Sequence, residues 1–437
     1  MAISIQTGQQ HLFGSSGIRS VFGKRLVDIA LSLGLVCGRQ NRSVMVGRDT
    51  RTSSELLKDI LVSGLRAGGA SVLDAGVLPT PTLALAARKV DLAIMVTASH
   101  NPPEYNGFKL IEPNGAGIGA AIQREIEDLI REDLCRPANW TDLGPLETYE
   151  TAIQEHRETI ARDCSLERKT KAVIDCCCGA ACYITPMVLT GMGCEVIPLN
   201  CLPGGDPPRG AEPVETNLLG LVEATLEQGA DVGIAHDVDA DRMMIIDDRG
   251  RFVPGDKLLV ILAQSMGFEE IVTTLDASMV LEELGFRVNR TSIGDIHVSR
   301  ELMKSGSLGG EPSGSWVFPW VSLCPDGIYA AAKIAALASR RRLSELVDSI
   351  PEYPILRGNV GDQGICFDDM ESALIQNGSV LDVIRTDGLK VVYDDGWILI
   401  RHSGTEPVMR LTIEARDEAR LRTLYQHIME CFKSCGG

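Results

Sequence analysis

The fold is decided by the stretch Asp91-Leu-Ala-Ile-Met-Val-Thr-Ala-Ser-His-Asn-Pro-Pro103. Its apolar run, Leu92–Val96, is too short for a helix and is followed by two prolines, so it predicts a buried strand that ends in a polar loop. Ser99 lies at the tip of that loop beside His100, and Lys109 follows downstream. These groups suit the binding of a phosphate. Taken alone, however, a serine in a turn more often hydrogen-bonds its own backbone than acts as a nucleophile.

An acidic loop follows a second short apolar strand, Asp231-Val-Gly-Ile-Ala235. Asp237, Asp239 and Asp241 alternate along this loop, so in an extended conformation their carboxylates point to one side. Like charges this close repel one another unless a hard divalent cation neutralises them, which predicts a magnesium site. An EF-hand fits less well, because it needs glycine at its sixth position, where this chain has Arg242. The alternative to a metal site is an acidic surface loop that binds no metal.

Two further loops carry groups suited to a phosphorylated sugar. Gly309-Gly-Glu-Pro-Ser-Gly314 presents the carboxylate of Glu311 and the hydroxyl of Ser313, which suit hydrogen bonds to neighbouring sugar hydroxyls. The second loop, residues 401–407, combines a guanidinium, two hydroxyls and backbone N–H groups into a phosphate cradle. It lacks the Gly-x4-Gly-Lys-Ser/Thr pattern of a P-loop. Its predicted phosphate-binding residues are Arg401, Ser403, Gly404 and Thr405.

Length and composition set the broad class of protein. At 437 residues the chain is long enough for two to four domains. No apolar run reaches the roughly 18 to 20 residues of a membrane span, and the N-terminal sequence lacks the features of a signal peptide, so we expect a cytoplasmic protein. The net charge of −17 disfavours nucleic acid and anionic membranes as partners. A phosphorylated substrate must therefore be bound by locally placed Arg and Lys.

Short strands alternate with helices through most of the chain. This alternation predicts three similar α/β domains, each a mixed sheet built from βαβ units, followed by a smaller α+β C-terminal domain. The predicted domains are residues 1–150 with the Ser99 loop, 151–252 with the acidic loop, 253–350 with the Glu311 loop, and 351–437 with the Arg401 loop.

Four motifs together resemble one enzyme family. Thr97-Ala-Ser-His-Asn-Pro102 with Asn106-Gly-Phe-Lys109 resembles the phosphoserine loop of the α-D-phosphohexomutases, the superfamily of phosphoglucomutase, phosphomannomutase and phosphoglucosamine mutase. The resemblance begins at Phe13-Gly-Ser-Ser-Gly-Ile-Arg19 and implies an active site in a central cleft between the domains. The other motifs follow in the family's order: Asp237-Val-Asp-Ala-Asp-Arg242, Gly310-Glu-Pro-Ser-Gly314 and Arg401-His-Ser-Gly-Thr-Glu-Pro407.

The resemblance implies a mutase that moves a phosphoryl group between the 6-hydroxyl and the 1-hydroxyl of a hexose phosphate. Phosphorylated Ser99 would donate to the free hydroxyl, giving a bound hexose 1,6-bisphosphate, which turns around and also serves as primer. Mg²⁺, held by the three aspartates, would take an oxygen of phosphorylated Ser99 as a further ligand. Lys109, Arg19 and Arg242 would stabilise the transferring charge. Lys109 and His100 are both candidates for the general base.

The family's sugar and phosphate loops imply the rest of the site. Glu311 and Ser313 would contact the sugar ring, and Arg401 with its loop would hold the phosphate that is not reacting. The full set of predicted substrate-binding residues is Gly294, Asp295, Glu311, Ser313, Arg401, Ser403, Gly404 and Thr405.

The chain departs from the family's pattern at two positions. Val238 stands where glycine is more common, and a β-branched residue would be strained if that glycine has a positive φ. Ser315 stands where histidine often occurs, so a histidine role is not carried over.

Several readings of function stay open at this point. The motifs look most like archaeal-type phosphoglucosamine mutases, with glucose and mannose phosphates as alternative substrates. An aspartyl phosphatase with Asp237 as nucleophile is a different enzyme class, weakened because Asp241 stands where Thr or Val belongs. A non-catalytic sugar-phosphate sensor would not need Ser99. The oligomeric state, monomer or homodimer, is open.

Overall fold

The computed structural model describes residues 11–14, 16–361, 366–375, 379–402 and 408–435. Four β-sheets of seven, four, four and five strands follow one another along the chain. The first three sheets mix parallel and antiparallel pairs, and the fourth is antiparallel throughout its described strands. The predicted fold class, three α/β units followed by an α+β unit, is confirmed. The boundaries predicted for the four domains remain predictions.

The first unit carries the Ser99 loop at the carboxyl end of a central strand. Its strands are β1 (Phe13–Gly14), β2 (Gly17–Val21), β3 (Ser43–Arg48), β4 (Ser71–Val77), β5 (Leu92–Val96), β6 (Tyr105–Ile111) and β7 (Leu146–Thr148). Its helices are α1 (Lys24–Gln40), α2 (Ser54–Gly68), α3 (Thr80–Ala86) and α4 (Ala120–Arg131). The sheet order is β1-β2-β6-β5-β3-β4-β7. Every residue of β5 is buried, as expected for a continuous apolar run inside a sheet covered on both faces.

The second unit carries the acidic loop between two antiparallel strands. Its helices are α5 (Ala152–Asp163), α6 (Thr185–Met192) and α7 (Leu219–Glu227). Its strands are β8 (Lys171–Asp175), β9 (Glu195–Leu199), β10 (Val232–His236) and β11 (Met243–Ile246), in the order β11-β10-β8-β9. The acidic loop leaves the carboxyl end of β10 and returns in β11.

The third unit carries two loops predicted to bind substrate. Its helices are α8 (Gly255–Met266), α9 (Val280–Glu283), α10 (Asp295–Leu302), α11 (Gly327–Ala338) and α12 (Leu343–Asp348). Its strands are β12 (Glu270–Thr274), β13 (Arg287–Thr291), β14 (Leu308–Gly310) and β15 (Trp316–Val317), in the order β13-β12-β14-β15. One loop joins β13 to α10, and the other joins β14 to β15.

In its described residues the C-terminal unit is an antiparallel sheet with two helices. Its strands are β16 (Ile355–Gly361), β17 (Val380–Ile384), β18 (Leu389–Tyr393), β19 (Gly396–His402) and β20 (Val408–Ala415), in the order β16-β20-β19-β18-β17. Its helices are α13 (Phe367–Ile375) and α14 (Glu418–Cys435). Arg401 is the penultimate residue of β19, so the predicted phosphate loop starts at the end of a central strand.

The second and third units share one hydrophobic core. Ile174 and Ile234 of the second unit belong to the same buried cluster as Ile271 of the third. The first and C-terminal units each have a core of their own. A smaller cluster that includes Leu275 and Trp397 joins the C-terminal unit to the third unit.

Candidate active site

The side chain of Ser99 contacts the acidic loop of the second unit. Its Oγ donates a hydrogen bond to Asp237 Oδ2 at 2.6 Å, and the residue is 1% exposed. His100 Nδ1 lies 3.4 Å from the same Oγ. Two residues that are far apart in sequence thus form one centre, in which the candidate nucleophile faces the first of the three aspartates.

The backbone at Ser99 is held in an uncommon conformation. Its φ of 50° lies in the left-handed region, which costs a residue other than glycine on the order of 1 kcal/mol or more. The N–H of Ser99 donates to Thr97 Oγ1 at 2.9 Å, and its carbonyl accepts from Arg51 Nη2 at 2.6 Å. Thr97 Oγ1 in turn donates to Asp49 Oδ2 at 2.7 Å. These bonds fix the direction in which the Ser99 hydroxyl points.

Arg51 is a residue whose role the sequence analysis missed. Its guanidinium is buried and donates to the carbonyls of Ser99, Asn101, Pro102 and Tyr105 at 2.6, 2.6, 2.7 and 3.1 Å. Three of these acceptors belong to the loop between β5 and β6, and the fourth, Tyr105, is the first residue of β6. The available signal was an arginine three residues after the end of β3, because β3 is the parallel neighbour of β5 and the carboxyl ends of the two strands meet.

We expect Arg51→Lys to lower kcat/KM about 100-fold, because an ammonium group cannot span four carbonyls with the geometry of a planar fork and the loop would shift. Lysine keeps a positive charge near Asp49, whose Oδ2 lies 3.2 Å from Arg51 Nε. The fall in kcat/KM should therefore exceed what any change in melting temperature explains. Steady-state kinetics and thermal unfolding measure both. Arg48→Lys, at the end of β3 and paired with Glu55, is the matched control and should keep the wild-type kcat/KM. Unchanged kcat/KM in Arg51→Lys would contradict this role.

The acidic loop offers a set of oxygen ligands that fits Mg²⁺. Carboxylate oxygens of Asp237, Asp239 and Asp241 lie within 4.8 Å of one another, and all three residues are buried. Asp239 Oδ1 and Asp241 Oδ1 are buried without a hydrogen-bond partner among the described residues. Buried carboxylate oxygens are rarely left unpaired, and hard cations prefer such ligands. The three residues, with Ser99 Oγ beside Asp237, therefore suit a magnesium ion.

The acidic loop adopts its shape without strain at Val238. The residue with a positive φ is Ala240, at 57°, so the strain considered for valine does not arise. The carbonyl of Val238 accepts from Ala180 N at 2.7 Å, and a Cβ on Gly179 would approach the same oxygen to 2.3 Å. The turn after β8 therefore packs against the backbone of the acidic loop.

Lys109, on strand β6 after the Ser99 loop, connects the first unit to the acidic loop. Its Nζ donates to Asp239 Oδ2 at 2.8 Å and also to Asp241. Burial acts to lower the pKa of Lys109, but the charges of Asp239 and Asp241 outweigh burial and raise it. Thr80, which the sequence analysis did not single out, donates to Asp239 Oδ2 at 2.5 Å. The position of Asp239 is thus fixed by two donors from the first unit.

Cationic and neutral donors contact the Ser99 loop and Asp237. The Arg242 backbone N–H donates to Asp237 Oδ1 at 3.2 Å. Arg19 Nε is buried without a hydrogen-bond partner among the described residues, so it is available to a ligand. Burial, together with the charges of Arg242, Arg19 and Lys109, lowers the pKa of His100. The centre therefore combines fixed positive charge with a carboxylate cluster.

The predicted substrate-binding residues of the third unit lie together. The Gly294 N–H donates to Glu311 Oε1 at 2.8 Å, and Asp295 Oδ1 accepts from Ser16 Oγ at 2.6 Å. Burial and then the charge of Asp295 raise the pKa of Glu311 to about 8. Ser313 Oγ is buried without a hydrogen-bond partner among the described residues. The Ser313 hydroxyl, beside the carboxyl group of Glu311, is therefore available to a polyhydroxylated ligand.

One cleft passes between the first and third units. Lys109, Asp241 and Asp295 line it together with Ser16 and Cys324. Arg401 is half-buried in the C-terminal sheet, where its backbone pairs with that of Arg410. The predicted phosphate ligands Ser403, Gly404 and Thr405 lie outside the described residues.

Four models of known protein domains match this chain, one for each of the four units. Family models described as phosphoglucomutase/phosphomannomutase alpha/beta/alpha domains I, II and III match residues 10–135, 147–250 and 254–353, and the model of the C-terminal domain matches residues 340–430. The chain belongs to the phosphoglucomutase/phosphomannomutase family. Its members are mutases of sugar phosphates, so this member is an enzyme of the isomerase class.

Individual family members are similar over nearly their whole length. A probable phosphoglucosamine mutase from Methanocella arvoryzae is 45% identical, covering 97% of this chain and 98% of that protein. A phosphoglucomutase/phosphomannomutase family protein from Burkholderia thailandensis has a TM-score of 0.88 at 28% identity, covering 97% of both chains. N-acetylphosphoglucosamine mutase from Aspergillus fumigatus, solved with GlcNAc-6P and magnesium, has a TM-score of 0.63 at 15% identity, covering 99% of this chain and 97% of that one. The last likeness shows the fold alone.

Proposed function

We propose that this phosphohexomutase is a Mg²⁺-dependent phosphoglucosamine mutase, which interconverts glucosamine 6-phosphate and glucosamine 1-phosphate. The observation that carries the mechanism is the 2.6 Å contact between Ser99 Oγ and Asp237 Oδ2 inside a cluster of carboxylates and cations. The preference for an amino sugar is supported by the Methanocella relative, which is named a probable phosphoglucosamine mutase and is 45% identical.

In the proposed reaction the phosphoryl group moves between Ser99 and the sugar. The bond from phosphorus to Ser99 Oγ breaks as a bond to the sugar hydroxyl forms, and that hydroxyl loses its proton to a base. Of the two candidates, Lys109 and His100, the neutral group is His100, because Asp239 and Asp241 raise the pKa of Lys109 and keep it charged. Arg19, Arg242 and Lys109 offset the charge of the transferring group, since phosphoryl transfer depends chiefly on position and electrostatics. Bound Mg²⁺ supplies Lewis-acid stabilisation of the same charge.

The contacts of Asp237 favour a mutase over an aspartyl phosphatase. A phosphatase of that kind needs Asp237 free to attack phosphorus, whereas here its Oδ2 accepts from Ser99 and its Oδ1 accepts from the Arg242 N–H. Ser99 is also almost fully shielded from solvent, at 1% exposure. Exclusion of water protects a phosphoserine from hydrolysis.

We infer that the enzyme works in the cytoplasm, where phosphorylated sugars are made. In the described part of the chain no helix has the length and apolar character to cross a membrane. The net charge of −17 disfavours nucleic acid as a partner.

An assay of the purified protein tests the proposed function. Glucosamine, glucose and mannose 6-phosphates are supplied with and without the matching 1,6-bisphosphate, and 1-phosphate and free phosphate are measured. We expect formation of 1-phosphate, stimulation by the bisphosphate, and the highest kcat/KM with glucosamine 6-phosphate. Release of free phosphate as the main product would contradict a mutase, and a higher kcat/KM for glucose or mannose phosphate would contradict the choice of sugar.

Arg401→Ala should weaken both substrates by similar factors, because one fixed anchor must hold whichever phosphate is not reacting. Loss of a bidentate charge-assisted contact costs about 2 to 3 kcal/mol, or roughly 30- to 150-fold. Since that phosphate stays bound in the ground and transition states alike, most of the loss should appear in KM. Measurement of kcat/KM in both directions tests this, with the exposed Arg422→Ala on α14 as control. A fall in kcat/KM in one direction only, or in neither, would show that Arg401 is not the shared phosphate anchor.

A further inference from the structure

The loop of residues 292–295, here called the substrate loop, is held by the C-terminal unit at Ile293. The Ile293 N–H donates to Asp387 Oδ2 at 2.9 Å. The side chain of Ile293 packs against the cluster that contains Trp397 and Leu399 of the C-terminal sheet. Both the backbone and the side chain of this one residue therefore depend on where the C-terminal unit lies.

The next two residues of the substrate loop are the ones predicted to contact substrate. Gly294 is fixed by Glu311, and Asp295 is fixed by Ser16 of the first unit, through the hydrogen bonds described above. Consecutive residues of the loop are thus tied to three different units. A shift at Ile293 would be transmitted directly to Gly294 and Asp295, because a residue's neighbours in the chain move with it.

Asp387 also lies beside the phosphate anchor. It belongs to the turn between β17 and β18, and the next residue, Gly388, has a φ of 86°. A Cβ on Gly388 would lie 2.1 Å from the Ile400 carbonyl oxygen and 2.8 Å from Arg401 Cα, so the turn packs tightly on the end of β19. One turn therefore contacts the substrate loop on one side and the strand that carries Arg401 on the other.

We propose that Asp387 is a positioning residue that sets the placement of the substrate loop relative to Arg401. The inference rests on the mutase function proposed above. Asp387 contributes a hydrogen-bond acceptor to a backbone N–H, so the acceptor oxygen is the required feature and the negative charge is not. Because the sugar and its distal phosphate are bound in both orientations of the substrate, loss of Asp387 affects both directions of the reaction alike.

Three variants test the proposal. Asp387→Ala removes the acceptor, Asp387→Asn keeps a carbonyl oxygen but no charge, and Asp394→Ala removes an exposed carboxylate from the other end of β18 as a control. We expect Asp387→Ala to raise KM about 10-fold for both glucosamine phosphates, with kcat changed less than about 3-fold. Asp387→Asn should stay within about 2-fold of the wild type in KM, and Asp394→Ala should match the wild type.

Kinetics in both directions and thermal unfolding of each variant decide the outcome. Unchanged KM in Asp387→Ala, or an equal rise in KM in Asp387→Asn, would overturn the acceptor role. A fall in kcat alone, in proportion to lost folded protein, would mean that Asp387 is merely structural and would overturn it as well. If the wild type is active and Asp387→Ala has the same KM, this inference is wrong and the proposed function stands. If the wild type has no mutase activity, the proposed function is overturned first.

Discussion

Ser99→Ala should abolish mutase turnover, with kcat lowered by about 10⁴-fold or more, as expected when the nucleophile of a covalent mechanism is removed. The substitution removes the acceptor of the phosphoryl group and its 2.6 Å hydrogen bond to Asp237. Alanine keeps the side-chain volume nearly constant, and Arg51 and Thr97 bind the backbone of residue 99, so the fold should persist. Intact-mass measurement should find a removable phosphate on the wild type and none at this site in the variant.

The matched control for this experiment is Ser63→Ala, which removes an exposed hydroxyl from α2. It should leave turnover and the phosphorylated fraction unchanged. If Ser99→Ala retained turnover comparable to this control, Ser99 could not carry the phosphoryl group, and the proposed mechanism would fail even though the family assignment stands.

Asp239→Asn should reduce both Mg²⁺ binding and turnover, with kcat lowered about 10³-fold. The variant keeps the shape of the side chain but removes one negative charge from a site whose ligands are few, and a hard cation depends on that charge. Asp239 is the informative choice because its Oδ1 has no partner within the described part of the chain, while its Oδ2 already binds Lys109 and Thr80. Binding of Mg²⁺ alone, measured by calorimetry or by the rise in melting temperature with Mg²⁺, gives a readout independent of activity.

Asp128→Asn on the exposed face of α4 is the control for the change of charge. Chelation of the wild type should mimic Asp239→Asn, and restored Mg²⁺ should reverse it. Full activity in excess chelator, or wild-type Mg²⁺ binding in Asp239→Asn, would show that the acidic loop does not hold a catalytic metal.

The motifs could be predicted because their residues are adjacent in sequence. Leu92–Val96 forms the predicted strand, and the polar loop with Ser99 follows it. The alternating aspartates of the acidic loop do converge, since their oxygens lie within 4.8 Å of one another. In each case a short segment already contains both the structural signal and the chemical groups.

The contacts between segments could not be predicted in this way. Arg51 binds the Ser99 loop, Thr80 binds Asp239, and Asp387 binds the substrate loop, each across a long sequence separation. No local pattern encodes such a contact, because it depends on how the sheets pack. The sequence also placed Ser99 at a loop tip, whereas packing of the acidic loop over it leaves it almost entirely buried.

Transfer of label from Ser99 to the sugar tests the central claim most directly. The enzyme is phosphorylated with a ³²P-labelled hexose 1,6-bisphosphate, freed of excess reagent, and mixed with unlabelled glucosamine 6-phosphate for a single turnover in the presence of Mg²⁺. We predict that the label leaves Ser99 and appears in glucosamine bisphosphate and monophosphate. Label that stays on the protein, or that is released as inorganic phosphate, would contradict the account.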